Sequence, residues 1–165
     1  MKDENFMDSP LWQYDEISQV GIDYADTSQV TAYDSTENKL RDIKREIEDI
    51  INYLVLTKYQ TVLDFGTGTG EFALEAAKYS AEVFAVDVSH AMLEHVHQKA
   101  KLQGLTNIQF HHAGFLTYEH LGEPLNAVVS QYALHHLPDF WKMVALRRIY
   151  KMLNKNGKLY LRDIV

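Results

Sequence analysis

Three glycines and one aspartate carry the first chemical signal in this sequence. Gly66, Gly68 and Gly70 stand two residues apart, directly after the β-type run Thr61 to Phe65 (TVLDF). Glycine permits a tight turn and lets the backbone approach a ligand closely, beside the positive end of a following helix. Asp87 lies 21 residues after Gly66, closing a second β-type run, Glu82 to Val86. A carboxylate at that place can accept two hydrogen bonds from a ribose diol. Each feature alone is common as mere structure. Together they describe a site for an adenosine-containing ligand.

Those residues need elements to hold them, and the hydrophobic periodicity supplies the elements. Asp34 and Glu37 form a capping-box-like start to a helix carrying Leu40, Ile43, Ile47, Ile50, Ile51 and Leu54, ending near Thr57. The strand Thr61 to Phe65 runs into the glycines, and a helix is expected over about Glu71 to Tyr79. After Asp87, Ser89 is placed to N-cap a helix with Met92, Leu93, Val96, Ala100 and Leu102, which Gly104 ends. Asn107 to His112 and Ala127 to Gln131 read as the third and fourth strands. Asp139 opens a helix with Phe140, Val144, Ile149 and Leu153, Asn154 to Gly157 is a turn, and Lys158 to Val165 alternates as a fifth strand. Strands alternating with helices predict a Rossmann-like α/β sandwich: a mostly parallel sheet, covered on both faces, with right-handed crossovers. In such a sheet ligands bind at the carboxyl ends of the strands, where the glycines and Asp87 fall.

Composition narrows the field. With 165 residues, 46% hydrophobic and 24% charged, the chain has the make-up of one globular domain. No apolar run approaches the ~20 residues that cross a bilayer. The absence of cysteine excludes disulfides, a thiolate nucleophile and Cys-ligated metal, and a cytoplasmic setting fits it. The net charge of -7 sits wholly in residues 1–58, with 13 acids against 6 bases. Residues 1–37 hold nine acids and one base, Lys2, interleaved with Phe6, Trp12, Tyr14, Tyr24 and Tyr33. An acidic arm of this kind repels phosphate backbones, so nucleic acid is not the expected partner. Its aromatics read as a segment, residues 1–33, that caps the edge of the domain at 34–165 or closes over its cleft.

A dinucleotide site expects Gly-x-Gly-x-x-Gly, but Glu71 stands where the third glycine would fall. The stretch Val62-Leu-Asp-Phe-Gly-Thr-Gly-Thr-Gly70 instead resembles the first motif of class I S-adenosylmethionine-dependent methyltransferases. Val86-Asp-Val-Ser-His-Ala-Met92 is similar to the family's acidic second motif. Ser130 to Asp139 (SQYALHHLPD) resembles the fourth motif of the small-molecule and cofactor-biosynthesis branch, and Leu146 to Leu159 its last helix and turn. The resemblance implies that backbone from Gly66 through Thr67 and Gly68 to Gly70 cradles the methionine part of S-adenosylmethionine, above Asp64. It also implies that Asp87 takes the ribose, that Val88 and Met92 pack on the adenine, and that Gln131 borders the methyl. S-adenosylhomocysteine would be the product. Where the family has an acid facing the adenine amino group, this sequence has Gly114, leaving backbone near Phe115 for that purpose. Asn126 stands where Asp often opens the fourth strand, and Asn156-Gly157 replaces a glycine pair.

Methyl transfer from a sulfonium is an in-line displacement, and the protein chiefly aligns the reactants and excludes water. A base is needed only for a nucleophile whose proton is held tightly. His135 and His136, after the fourth strand, are the candidates for a catalytic base or substrate contact. No metal site is expected: His95 and His97 fall on different faces of a helix, and the adjacent His111 and His112 point opposite ways on a strand. No Asn/Asp-Pro-Pro-aromatic run follows the fourth strand, so a small-molecule acceptor is the leading expectation. The alternatives are a nicotinamide-type nucleotide oxidoreductase, or a non-catalytic domain that binds the cofactor or a partner. The family's sheet has seven strands and this sequence supplies about five, so a chain truncated after strand five is expected. The edge of that strand would then be open to a homodimer contact.

Overall fold

The computed structural model describes residues 2–3, 10–18 and 42–164. Its centre is a parallel sheet. The strands are β1 (Lys2–Asp3), β2 (Thr61–Phe65), β3 (Glu82–Asp87), β4 (Ile108–His112), β5 (Leu125–Gln131) and β6 (Leu153–Arg162), in the spatial order β1-β4-β3-β2-β5-β6. Among the described residues four α-helices accompany them: α1 (Ile43–Leu54), α2 (Glu71–Ala76), α3 (His90–Leu102) and α4 (Asp139–Met152). The chain is a Rossmann-like α/β sandwich.

Strand alternation decides which helix covers which face. In β2, Val62 faces a cluster with Ile47, Ile50, Ile51, Phe72 and Ala73 of α1 and α2. Its neighbour Leu63 faces the opposite cluster with Ala145 and Ile149 of α4, Phe115 and Tyr118. Strand β5 repeats the split, with Ala127 and Val129 on the first face and Leu125 and Val128 on the second. The chain winds outward from β2 through β3 to β4, then returns to the other side of β2 for β5 and β6. Right-handed crossovers in opposite directions put their helices on opposite faces, which is why α2 and α4 lie on different sides. The reversal leaves a crevice between the carboxyl ends of β2 and β5.

Several expectations are corrected here. Asp34, Glu37 and Leu40 lie outside the described residues, and the described helix α1 takes Asp42 as its N-cap, accepting from the Arg45 amide at 3.3 Å. Helix α2 stops at Ala76, where the Ser80 hydroxyl bonds the Ala76 carbonyl at 2.7 Å. All five expected strands are present, and among the described residues the sheet gains a sixth: Lys2 and Asp3, from the acidic arm, pair in parallel with His111 and His112 and cover the β4 edge. The fifth expected strand starts earlier than its alternation suggests. Leu153 already pairs with Leu125, and Asn154 to Gly157 bulge outward before Lys158 resumes pairing at Ala127. The bulge is held by the Asn154 side chain, which accepts from the Asn156 amide at 3.0 Å. Asn126 also has a clear role: its Oδ1 accepts from the Thr61 amide at 2.8 Å, locking the start of β5 to β2. Among the described residues no strand pairs with the outer edge of β6, which is instead approached by α1 through Lys158 Nζ to the Tyr53 carbonyl at 3.0 Å. Among them, too, no helix is long and apolar enough to cross a membrane.

Candidate active site

The crevice at the switch point is a cleft of about 220 Å³. One wall is the turn after β2. The amides of Gly66 and Thr67 both donate to the Val86 carbonyl, at 2.9 and 3.1 Å, and so tie the turn to the end of β3. A Cβ on Gly66 would overlap that of Ala133, so the β2 and β5 loops touch only because this residue is glycine. A Cβ on Gly68, by contrast, would meet nothing within 4 Å. Its open side belongs to the cleft. The turn is braced below by Lys99 of α3, whose Nζ bonds the Thr69 carbonyl at 3.0 Å and pairs with Glu71. That ion pair gives Glu71 a structural use at the position where a dinucleotide site would want glycine.

Two buried carboxylates meet this turn. Asp64 is 3% exposed and accepts from the Thr67 hydroxyl at 2.8 Å. Burial, assisted by the nearby charge of Asp87 and opposed by the Thr67 bond, raises its pKa from 3.8 to about 7. Asp87 is 8% exposed; its Oδ2 accepts from the Gly68 amide and its Oδ1 from the Ser89 amide, both at 2.8 Å. Burial raises its pKa as well, against the pull of those two amides and of His112. Ser89 N-caps α3 through the Met92 amide at 3.2 Å, which sets Val88 and Met92 along the same wall.

The other walls come from the loops after β4 and β5. Ala113, Gly114 and Phe115 face the cleft after β4, with the Phe115 ring stacked on Phe65 at 4.7 Å between centroids. Arg148 of α4 steadies that loop, with Nε on the Phe115 carbonyl at 3.1 Å and Nη2 on that of Tyr118 at 2.7 Å. After β5, Gln131, Tyr132, Ala133 and His136 line the cleft. Tyr132 takes a positive φ of 53°, a conformation L side chains adopt at a cost, and its amide bonds the Arg162 carbonyl at 2.8 Å.

The structure thus brings Asp64, Gly66, Thr67, Gly68, Asp87, Val88, Met92, Gly114, Phe115 and Gln131 to one cleft. Gly70 stands behind it, under the helix start, and His135 turns away. The His135 amide donates to Asp163 Oδ2 at 2.9 Å, and its Nδ1 lies 2.6 Å from Oδ1 of the same carboxylate. Its ring still abuts that of His136, with centroids 4.2 Å apart. Burial, then the neighbouring His135, lowers the His136 pKa, with Asp163 opposing. His136 therefore faces the cleft with its ring held toward the neutral form.

Sequence reasoning missed Glu46 and Glu16, both of which line the cleft. Glu46 of α1 pairs with Arg162 at 2.9 Å, and the guanidinium of Arg162 lies 5.4 Å from the Tyr132 ring centroid. Glu16 comes from the acidic arm and lies against Gly114. The one sequence signal pointing to it was the missing side chain at 114.

The chain matches the methyltransferase domain family over residues 62–157. It is 30% identical over 136 residues to an uncharacterized methyltransferase of Anoxybacillus flavithermus, and 31% identical over 137 residues to one of Bacillus pumilus. Each match takes in 80% of this chain and 62% of the relative. The chain therefore spans about three fifths of the length of these relatives. Among solved structures, it resembles the YcgJ protein of Bacillus subtilis at 26% identity and a TM-score of 0.67, covering 73% of this chain and 50% of that one. The fold of the N-methyltransferase NodS of Bradyrhizobium japonicum, solved with S-adenosyl-L-homocysteine, is also similar. There the identity is 22% and the TM-score 0.64, over 74% of this chain and 62% of the other.

Proposed function

The chain belongs to the methyltransferase domain family, and from that premise we propose that its cleft binds S-adenosylmethionine and directs methyl transfer to a small-molecule acceptor. The observation that carries the reading is the joint placement of the open face of Gly68 and the buried carboxylates Asp64 and Asp87 around one cleft. These donors and acceptors fit the ligand's chemistry. An α-ammonium suits Asp64, a ribose diol suits Asp87, and the apolar surfaces of Val88, Met92 and Phe115 suit a flat base. S-adenosylmethionine supplies, when bound, a methyl group already activated by a sulfonium leaving group.

The chain's own work is to hold, align and dry the reacting centre. Gln131 and His136 line the cleft on the β5 side, where the methyl and the acceptor would meet. With its pKa lowered by burial, the His136 imidazole is neutral at pH 7 and keeps a lone pair able to take a proton from the acceptor. His135, anchored by Asp163, fixes the position of that ring. The acidic segment at 1–33 is read as an arm of the domain at 34–165, with Glu16 in the cleft wall. A cytoplasmic setting agrees with the lack of cysteine, and the outer edge of β6 is the surface for any homodimer.

Titration calorimetry with S-adenosylhomocysteine tests the cofactor assignment. Binding is expected for the wild type, with NAD giving no heat. Asp87→Asn is expected to weaken binding by roughly 30-fold, about 2 kcal/mol, the usual loss when a charge-assisted acceptor is neutralised. Equal affinity for NAD, or no effect of Asp87→Asn, would sink the assignment.

A further inference from the structure

Glu16 is a charged side chain in a place that burial makes costly. It is 6% exposed, and desolvation raises its pKa against the hydrogen bonds it accepts. Its Oε1 accepts from the Leu116 amide at 2.9 Å, the Thr117 amide at 3.0 Å and the Thr117 hydroxyl at 2.9 Å. Three donors from one loop converge on a single oxygen. The residues flanking Glu16 are tied to the same region. Gln13 Nε2 lies 3.4 Å from the Leu116 carbonyl, Trp12 stacks on Trp141 with centroids 6.1 Å apart, and Tyr14 packs against the core. Asp15 Oδ1 accepts from the amides of Ile17 and Ser18, both at 3.1 Å, and so shapes the turn that presents Glu16.

The receiving loop is built for this visitor. A Cβ on Gly114 would overlap the Glu16 carboxyl carbon and lie 2.5 and 2.6 Å from its two oxygens. Gly114 has no positive φ to explain its identity. The space is the explanation. We infer that Glu16 is a positioning residue: its carboxylate latches residues 10–18 onto the loop at 114–117 and thereby completes the cleft wall beside Phe115. Without the latch, two adjacent amides and a hydroxyl lose their acceptor, and the backbone that carries Gly114 and Phe115 into the cleft is released. The inference rests on the reading of that cleft as the S-adenosylmethionine site.

A double-mutant cycle in the 165-residue chain tests it, read by S-adenosylhomocysteine affinity and by hydrogen exchange of the free protein. Glu16→Ala is expected to weaken binding by about tenfold or more, the usual effect of losing charge-assisted hydrogen bonds. It should also accelerate exchange at the Leu116 and Thr117 amides while those of β2 and β5 stay protected. Gly114→Ala should do the same, because its Cβ displaces the carboxylate. The double variant should be no worse than either single one, since alanine at 16 vacates the space that the new methyl needs. Glu16→Gln, which keeps the shape and one acceptor, should fall between. Additive losses, or Glu16→Ala with wild-type affinity and wild-type exchange at 116 and 117, would overturn the latch. A wild type that fails to bind S-adenosylhomocysteine would instead remove the cofactor assignment, and the exchange cycle would still decide whether Glu16 holds the loop.

Discussion

Replacing Gly70 by alanine is expected to cost roughly 2–5 kcal/mol of stability, from left-handed strain of roughly 1–2 kcal/mol and overpacking of about 1–3 kcal/mol. Gly70 has a φ of +79° at the head of α2. A methyl there would overlap Val96 Cγ1 and lie 2.7 Å from Cγ2. Val96 is fully buried in the cluster that joins α2 to α3, so its side chain has nowhere to retreat. Gly68→Ala is the internal control. Its φ of +53° carries a similar conformational penalty, but its methyl would enter open space in the cleft. It should cost only about 1–2 kcal/mol of stability, with its main effect on ligand affinity. Urea unfolding of the two variants separates the effects, and adding Val96→Ala to Gly70→Ala should return part of the overpacking loss. Equal destabilisation by both alanines would show that packing against Val96 is not the cause.

A second large effect is expected from pH. The Asp64 carboxyl titrates near 7 in the folded chain against 3.8 ordinarily. Between those values the folded chain holds a proton that the unfolded chain has released. Stability is therefore lost as pH rises from about 4 to about 7, and that one group contributes on the order of 4 kcal/mol to the change. Asp64→Asn keeps an acceptor for the Thr67 hydroxyl and removes the titration. The difference between wild type and this variant in urea midpoint should thus shrink at low pH and grow toward pH 7, with the variant the more stable. Ligand binding should respond in the opposite sense. An ammonium beside Asp64 favours the ionised carboxylate, so S-adenosylhomocysteine should bind about tenfold more tightly per pH unit up to about 7, then level off. A flat affinity profile, or one unchanged by Asp64→Asn, would show that no ligand charge sits beside this carboxylate.

The two predictions differ in how far the sequence anticipated them. Gly66, Gly68 and Gly70 were legible as a turn because their spacing follows a β-type run and precedes a helix. That Gly70 serves packing on Val96 while Gly68 serves the cleft was not legible. Both have positive φ, and only the neighbours brought by α3 tell them apart. Asp64 and Asp87 could be picked out by position at strand ends. Their raised pKa values come from burial, which no local pattern states.

The strands and helices behaved likewise. Short-range alternation and capping located β2, β3, α3 and α4 closely, because each depends on contacts within a few residues. The start of β6 went astray because Leu153 joins the sheet through Leu125, a partner far away in sequence. The same reason hid the sixth strand, since Lys2 and Asp3 have no β pattern of their own and gain order only by pairing with His111 and His112.

What the amino-acid order determined by itself is therefore the parallel α/β plan and the kind of ligand chemistry at its strand ends, both consequences of local periodicity and spacing. Which histidine faces the cleft, and which acid fills the gap at Gly114, belong to the tertiary structure. His135 is drawn aside by Asp163, 28 residues later, and Glu16 reaches Leu116 across 100 residues. Contacts at that separation depend on how the loops close together, and no spacing along the chain encodes them.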